Sequence, residues 1–440
     1  VETKNQGIIL IIIFMNILQY SSLKNCLKQL EYLLKHKLFR NTSMLYLLNA
    51  AKMFFPLFTF PYLTRVLSID AYAALVYTKA VMRYMQMWVD FGFLLSATKR
   101  IVKANKDYEL MSHIVSDTIF ARLLLAIIGA IGLLILGLFV PLLKQNLLFV
   151  WLSYIAVFLS CFMTDYLFRG IEKMHEITIR FVTMKSISTV LTFVFVHSDQ
   201  DLIKIPILDI LSSLVALVLI SAQLKKYSIH LLIPSCKKAL LYIRESFEYF
   251  LSSVSTTAFG VLNTVLIGIF LPEADVAIWA VALQLISFCQ SCYNPIISAI
   301  YPEMIRNKKF ALIKKLLLIL MPLIIVGCFL GFFIAPLIVR VVASEKYVAA
   351  IPIFRSLIPV LIFAFPAMML GWPVLGAIDK VRHTTLTTII SACTQCVGLL
   401  ILILCGKFTL PSIVFMRNIT EGVLLGTRAG FVYKFRKELR

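Results

Sequence analysis

Acidic residues are scarce in this sequence: Asp and Glu number 22 among 440 residues, against 43 Lys and Arg. Only 15% of the chain is charged, whereas a soluble globular protein carries about 25%. His (6) and Trp (4) are few as well. There is no Walker A loop, no G-x-S-x-G and no metal-ligand spacing, which removes the usual bases for nucleotide, acyl-transfer or metal chemistry. No catalytic residues, metal or cofactor are therefore expected, and no enzyme. No basic domain or basic-aromatic patch gathers the net charge of +21 in one place, so nucleic acid is not expected as a partner.

What fills the chain instead is apolar. Hydrophobic residues make up 60% of it and the mean hydropathy is +0.91. Such a composition belongs to an all-α polytopic membrane protein. At about 20 apolar residues per crossing, spans fall near 43–66, 71–97, 116–140, 146–168, 177–197, 202–223, 244–271, 275–300, 312–339, 349–376, 384–405 and 409–432. That is twelve crossings.

The loops between them sort by charge. Alternate loops hold only Arg65, Lys144, Lys204, Arg340, Lys346 and Lys407, while the other set carries clusters such as Lys99–Arg100–Lys103–Lys106 and Lys225–Lys226–Lys237–Lys238. By the positive-inside rule both termini are cytoplasmic. The expected organisation is a cytoplasmic N-terminal extension (1–42), a six-helix bundle (43–223), a basic cytoplasmic linker (224–243), a second six-helix bundle (244–432) and a basic tail (433–440). Residues 8–18 have the apolar character of a signal h-region but lack a following cleavage site, and residues 1–25 are expected to be dispensable. A weak repeat links the halves: Asp70, Ala74, Tyr77 and Ala80 correspond to Glu273/Asp275, Ala277, Trp279 and Ala280. Repeats in the same orientation place a substrate between the halves.

Several cations interrupt the apolar spans: Lys52, Lys79, Arg83, Arg122, Lys185, Arg355 and Arg417. A central cation costs roughly 2.5–3.5 kcal/mol on insertion scales, so such residues face a polar cavity or an acid. Lys79 and Arg83, at i and i+4, share one helix face. Arg122 sits near a span end and is expected to reach lipid phosphates. The acids available as structural or coupling partners include Asp90, Asp209 and Glu421; Asp209 suits Lys185, and Glu421 lies i+4 from Arg417. Lys52, Lys79 and Arg83 have no acid close by on their own helices, which makes them the first candidates for binding an anionic cargo, followed by Lys185, Arg355 and Arg417. Cys393 and Cys396 form a C-x-x-C among small residues in a span, a packing feature rather than a zinc or redox site.

Residues 60–101 carry Pro61-Tyr62-Leu63-x-Arg65-Val66-Leu67, Tyr72, Asp90-Phe91-Gly92-Phe93 and Ser96-Ala97-Thr98, and the second half adds Asn294-Pro295 and Tyr301-Pro302. This pattern resembles the Wzx-type flippases, the O-antigen and capsule repeat-unit transporters of the multidrug/oligosaccharidyl-lipid/polysaccharide exporter superfamily. Ser68 and Ala73 depart from it, standing where glycine is common. The resemblance implies a MATE-like, V-shaped fold in the bacterial cytoplasmic (inner) membrane. It implies flipping of an undecaprenyl-pyrophosphate-linked oligosaccharide from the cytoplasmic to the periplasmic leaflet by alternating access through a cationic central cavity. Partners would be that glycan, membrane lipids, and a polysaccharide polymerase with its chain-length regulator; coupling to H+ or Na+ stays open. Competing readings are a multidrug/cation antiporter of the same superfamily, disfavoured because the first span carries Lys52 and no acid, and a polymerase or ligase, disfavoured because no large outer loop is present.

Overall fold

The computed structural model describes residues 37–105, 107–254, 259–307 and 310–438. The expectation about residues 1–25 lies outside the described residues. No strand occurs among the described residues. The first half comprises α1 (Lys37–Val66), α2 (Ile69–Asp90), α3 (Phe93–Lys103), α4 (Tyr108–Phe139), α5 (Leu147–Leu159), α6 (Asp165–Gly170), α7 (Met174–Phe195) and α8 (Lys204–Lys226). The second comprises α9 (Cys236–Ser253), α10 (Phe259–Phe270), α11 (Glu273–Ser291), α12 (Tyr293–Asn307), α13 (Phe310–Ile338), α14 (Ala350–Met369), α15 (Val381–Leu404) and α16 (Leu410–Lys434). Helix α9 thus occupies part of the stretch read from sequence as a linker.

Nine stretches among the described residues are long and apolar enough to cross a bilayer. The spans read at 71–97, 244–271 and 409–432 fall outside those nine. Lys79, Arg83 and Asp90 dilute the first, residues 255–258 between α9 and α10 are not described, and Arg417, Glu421 and Arg428 dilute the last. The span read at 71–97 is also two helices. Phe91 and Gly92 both adopt left-handed backbone, with φ of 38° and 74°, and the chain turns there into α3. A Cβ on Gly92 would stand 2.6 Å from Cβ of Tyr249, so the position needs glycine both for φ and for the approach of α9.

The halves meet where their repeats coincide. Ala73, Ala74 and Tyr77 of α2 pack with Ala277, Trp279 and Ala280 of α11 in one buried cluster. Small side chains let these helices approach closely, and Gly268 of α10 leaves room for the Tyr77 ring, which a Cβ would meet at 2.1 Å. On the face away from the basic loops a polar clip adds to this seam. Lys346 donates to the carbonyls of Arg65 (3.0 Å) and Leu67 (3.2 Å) at the end of α1, and Arg65 donates to the carbonyl of Val341. The halves are thus held together at this face. Further along, α11 is buried as far as Ile286, then exposes Ser287 and Cys289.

Candidate functional site

Helix α2 is enclosed by α4, α5, α10 and α11, and between Ala71 and Asp90 just two of its residues are exposed, Lys79 and Arg83. Their i, i+4 spacing therefore does put both on one face, and it is the open face. Arg83 has no ion pair or hydrogen bond among the described residues. The positive fields of Arg83 and of Arg169, from α6, both act on Lys52, which is exposed on α1 and stands 5.6 Å from the ring of Phe181. Arg169 is half-buried, with Nε unpartnered. Lys52 thus lies near a cation from each of two other helices.

A second group lies beside the first. Asp209 of α8 is 3.8 Å from Lys185 Nζ and accepts from Ser188 Oγ at 2.7 Å. Its field and that of Lys185 also reach Lys79. Lys79 has no acid close by on its own helix, but α8 supplies one from outside. Two lysines sharing one carboxylate keep a net positive charge there.

The other predicted cations do not join this cluster. Arg417 pairs with Glu421 at 2.6 Å. Arg355 donates from Nε to the carbonyl of Phe332 at 2.9 Å, with its guanidinium 4.9 Å from that residue's ring. Pro336, four residues on, has no N–H to give that carbonyl, so Arg355 supplies the bond the proline removes. The expectation that Arg122 reaches lipid phosphates is corrected. It is 5% exposed, pairs with Asp90 at 2.5 Å and donates to the carbonyls of Cys161 (3.2 Å) and Met163 (2.8 Å), where the α5–α6 span is interrupted. Asp90 is accordingly held by Arg122 and also accepts from Gln86 (3.0 Å).

Arg428 is also held within the scaffold. It is buried in α16 and donates to the carbonyl of Ala367 at 2.7 Å, beside the non-helical Gly371. A Cβ at Gly371 would come within 2.9 Å of Arg428 Nη1. The signal available in sequence was the Gly371–Pro373 helix break, which frees carbonyls that need a donor. Asn263 accepts from Gln395 (2.9 Å) and Trp88 donates to the carbonyl of Leu125 (2.9 Å), whereas Asn49 and Asn294 are exposed. No group of His, Cys, Asp and Glu among the described residues could hold a metal ion.

The signature residues of 60–101 serve this scaffold. Tyr62 donates to the carbonyl of Val196 at 2.6 Å, closing the end of α7, and Tyr72 packs edge-on against Tyr347 across the seam. Ser96 meets Ser246 at 2.6 Å, and Thr98 bonds the Tyr166 carbonyl at 3.1 Å.

Comparison with known proteins agrees with this architecture. The profile of a family described as "Polysaccharide biosynthesis protein" matches residues 38–308. A Shigella dysenteriae protein named "Putative O-antigen transporter" is 26% identical over 320 residues, covering 70% of this chain and 78% of its own. Among solved structures, "Lipid II flippase MurJ, inward closed conformation" superposes with a TM-score of 0.66 at 16% identity, over 89% of this chain and 87% of that one. An inward-facing multidrug resistance MATE family transporter of the MOP superfamily gives 0.61 at 15% identity, over 89% and 95%.

Proposed function

This chain belongs to the polysaccharide biosynthesis protein family, and from that premise we propose that it flips lipid-linked oligosaccharide repeat units across the bacterial inner membrane. The cargo on this reading is an undecaprenyl-pyrophosphate-linked O-antigen or capsule unit, carried from the cytoplasmic to the periplasmic leaflet. The observation that carries the proposal is the open face of α2, which exposes Lys79 and Arg83, with Lys52 of α1 within the field of Arg83. A diphosphate is a compact polyanion that such cations suit, and a cleft between two helical arms leaves a sideways path for a lipid tail. The name of the Shigella dysenteriae relative supports the cargo class.

Moving a negative head group outward across an inside-negative membrane is favoured by roughly 2.3 kcal/mol per charge per 100 mV. The potential would therefore assist export, with or without exchange of H+ or Na+. The test is complementation of cells lacking their own flippase, scored by surface polysaccharide at equal membrane levels. Lys52→Ala, Lys79→Ala and Arg83→Ala should each lower export, and the triple variant should abolish it. Normal export by the triple variant would sink the proposal.

A further inference from the structure

At the face that carries the basic loops, α3 and the start of α9 are tied into one shelf. Arg100 bridges to Glu245 at 2.7 Å and lies 3.9 Å over the ring of Tyr242. Ser96 meets Ser246, and Phe91 stacks on Phe250 with ring centroids 4.3 Å apart. With eleven residues, α3 is about 16 Å long, half of what a crossing needs, and it leaves α2 through only the Phe91–Gly92 turn. It lies, therefore, at the boundary of the apolar layer.

The outer surface of this shelf mixes two chemistries. Leu95 (53% exposed) and Val102 (59%) on α3, with Leu240 (56%) and Phe247 (54%) on α9, are left uncovered. Interleaved with them, Lys99, Lys103, Lys237, Lys238 and Arg244 are exposed. The acids around them are few: Glu245 is held by Arg100, Asp107 caps α4 through the Leu110 N–H at 2.9 Å, and Glu109 and Glu248 remain. Aliphatic side chains alternating with lysines on short amphipathic helices are what the headgroup region of an anionic leaflet accommodates.

We infer that the α3–α9 shelf is a docking surface for anionic phospholipids of the leaflet at the basic face. The cations receive the headgroup phosphate, and the exposed aliphatic residues lie against the upper acyl chains. The apolar half of the surface selects a lipid over free phosphate. Because α3 belongs to the first half and α9 opens the second, a lipid bound there spans the seam and holds it shut.

Native mass spectrometry of the full chain with phosphatidylglycerol, or with phosphatidylcholine of the same acyl chains, tests this. Wild-type protein should retain phosphatidylglycerol preferentially. Combined Lys99→Gln, Lys103→Gln, Lys237→Gln and Lys238→Gln should lower that preference by at least about fivefold, the weight of one lysine near an anionic surface. Lys314→Gln with Lys315→Gln, exposed cations on α13, should leave it unchanged. Equal retention of the two lipids, or an undiminished preference in the fourfold variant, overturns the inference; so does displacement of the lipid by inorganic phosphate at equal concentration. Should the fourfold variant not fold, the wild type still decides. Raising salt from 0.1 to 1 M shortens the screening length from about 10 Å to about 3 Å and must release the preference, and an unchanged preference refutes it.

Discussion

Cations buried in an apolar chain are individually ambiguous, because the sequence shows a charge and not what stands opposite it. Arg122 and Arg83 look alike on paper. In the fold, Arg122 is enclosed with Asp90 and two carbonyls, whereas Arg83 faces an opening. Replacing Arg122 by Ala takes the cation from a half-exposed Asp90 and strands two carbonyls, and an acceptor left unmet away from water costs about 1–3 kcal/mol. The Arg122→Ala protein should melt well below the wild type in a detergent thermal-shift assay. Arg83→Ala should melt within about 0.5 kcal/mol of wild type while export falls. A reversal of those two outcomes would mean that scaffold and site had been assigned the wrong way round. The i, i+4 pairs were legible from sequence because both partners lie on one helix, as with Arg417 and Glu421. Arg122–Asp90 was not, because its partners come from different helices.

Helix breaks and buried arginines belong together at the scale of the element. Pro336 and the Gly371–Pro373 turn each free carbonyls, and Arg355 and Arg428 each fill one such gap. The proline positions were readable, but the donors that answer them were not. A double-mutant cycle checks the link. Arg355→Leu should destabilise the protein by about 1–3 kcal/mol, the cost of an acceptor left unmet in an apolar layer, and should cost much less in a Pro336→Ala background, where residue 336 regains an N–H. Purely additive effects would show that Arg355 acts in some other way. Gly92 makes the same point about turns. Its left-handed φ and the contact with Tyr249 predict that Gly92→Val disrupts the α2–α3 turn and lowers folded protein in membranes, measured by size-exclusion chromatography of detergent extracts.

Across the whole molecule, the proposed flipping requires the halves to move apart at one seam or the other. At the basic face, Ser96 and Ser246 lie 2.6 Å apart from opposite halves. In a chain whose native cysteines are replaced, Ser96→Cys with Ser246→Cys should cross-link under oxidation, and export should stop and then return on reduction. Uninterrupted export by the cross-linked form would mean that this seam stays closed throughout the cycle. The two-half organisation and the relation of Ala74–Tyr77 to Ala277–Trp279 were visible in sequence as spacing. That these stretches pack against one another, and so hold the halves together, is a tertiary fact.

By itself the sequence determined that this chain is an all-α membrane protein in two related halves, because apolar run length and loop charge are properties of consecutive residues. It also determined that Lys79 and Arg83 share a face, since helical periodicity needs no partner. The tertiary structure alone decided that this face is open, that Asp209 reaches Lys185, and that Arg122, Arg355 and Arg428 are occupied with carbonyls and an acid. The physical reason is the same in each case. The energy of a buried charge is set by what other helices place around it, and that neighbourhood exists only once the helices have packed.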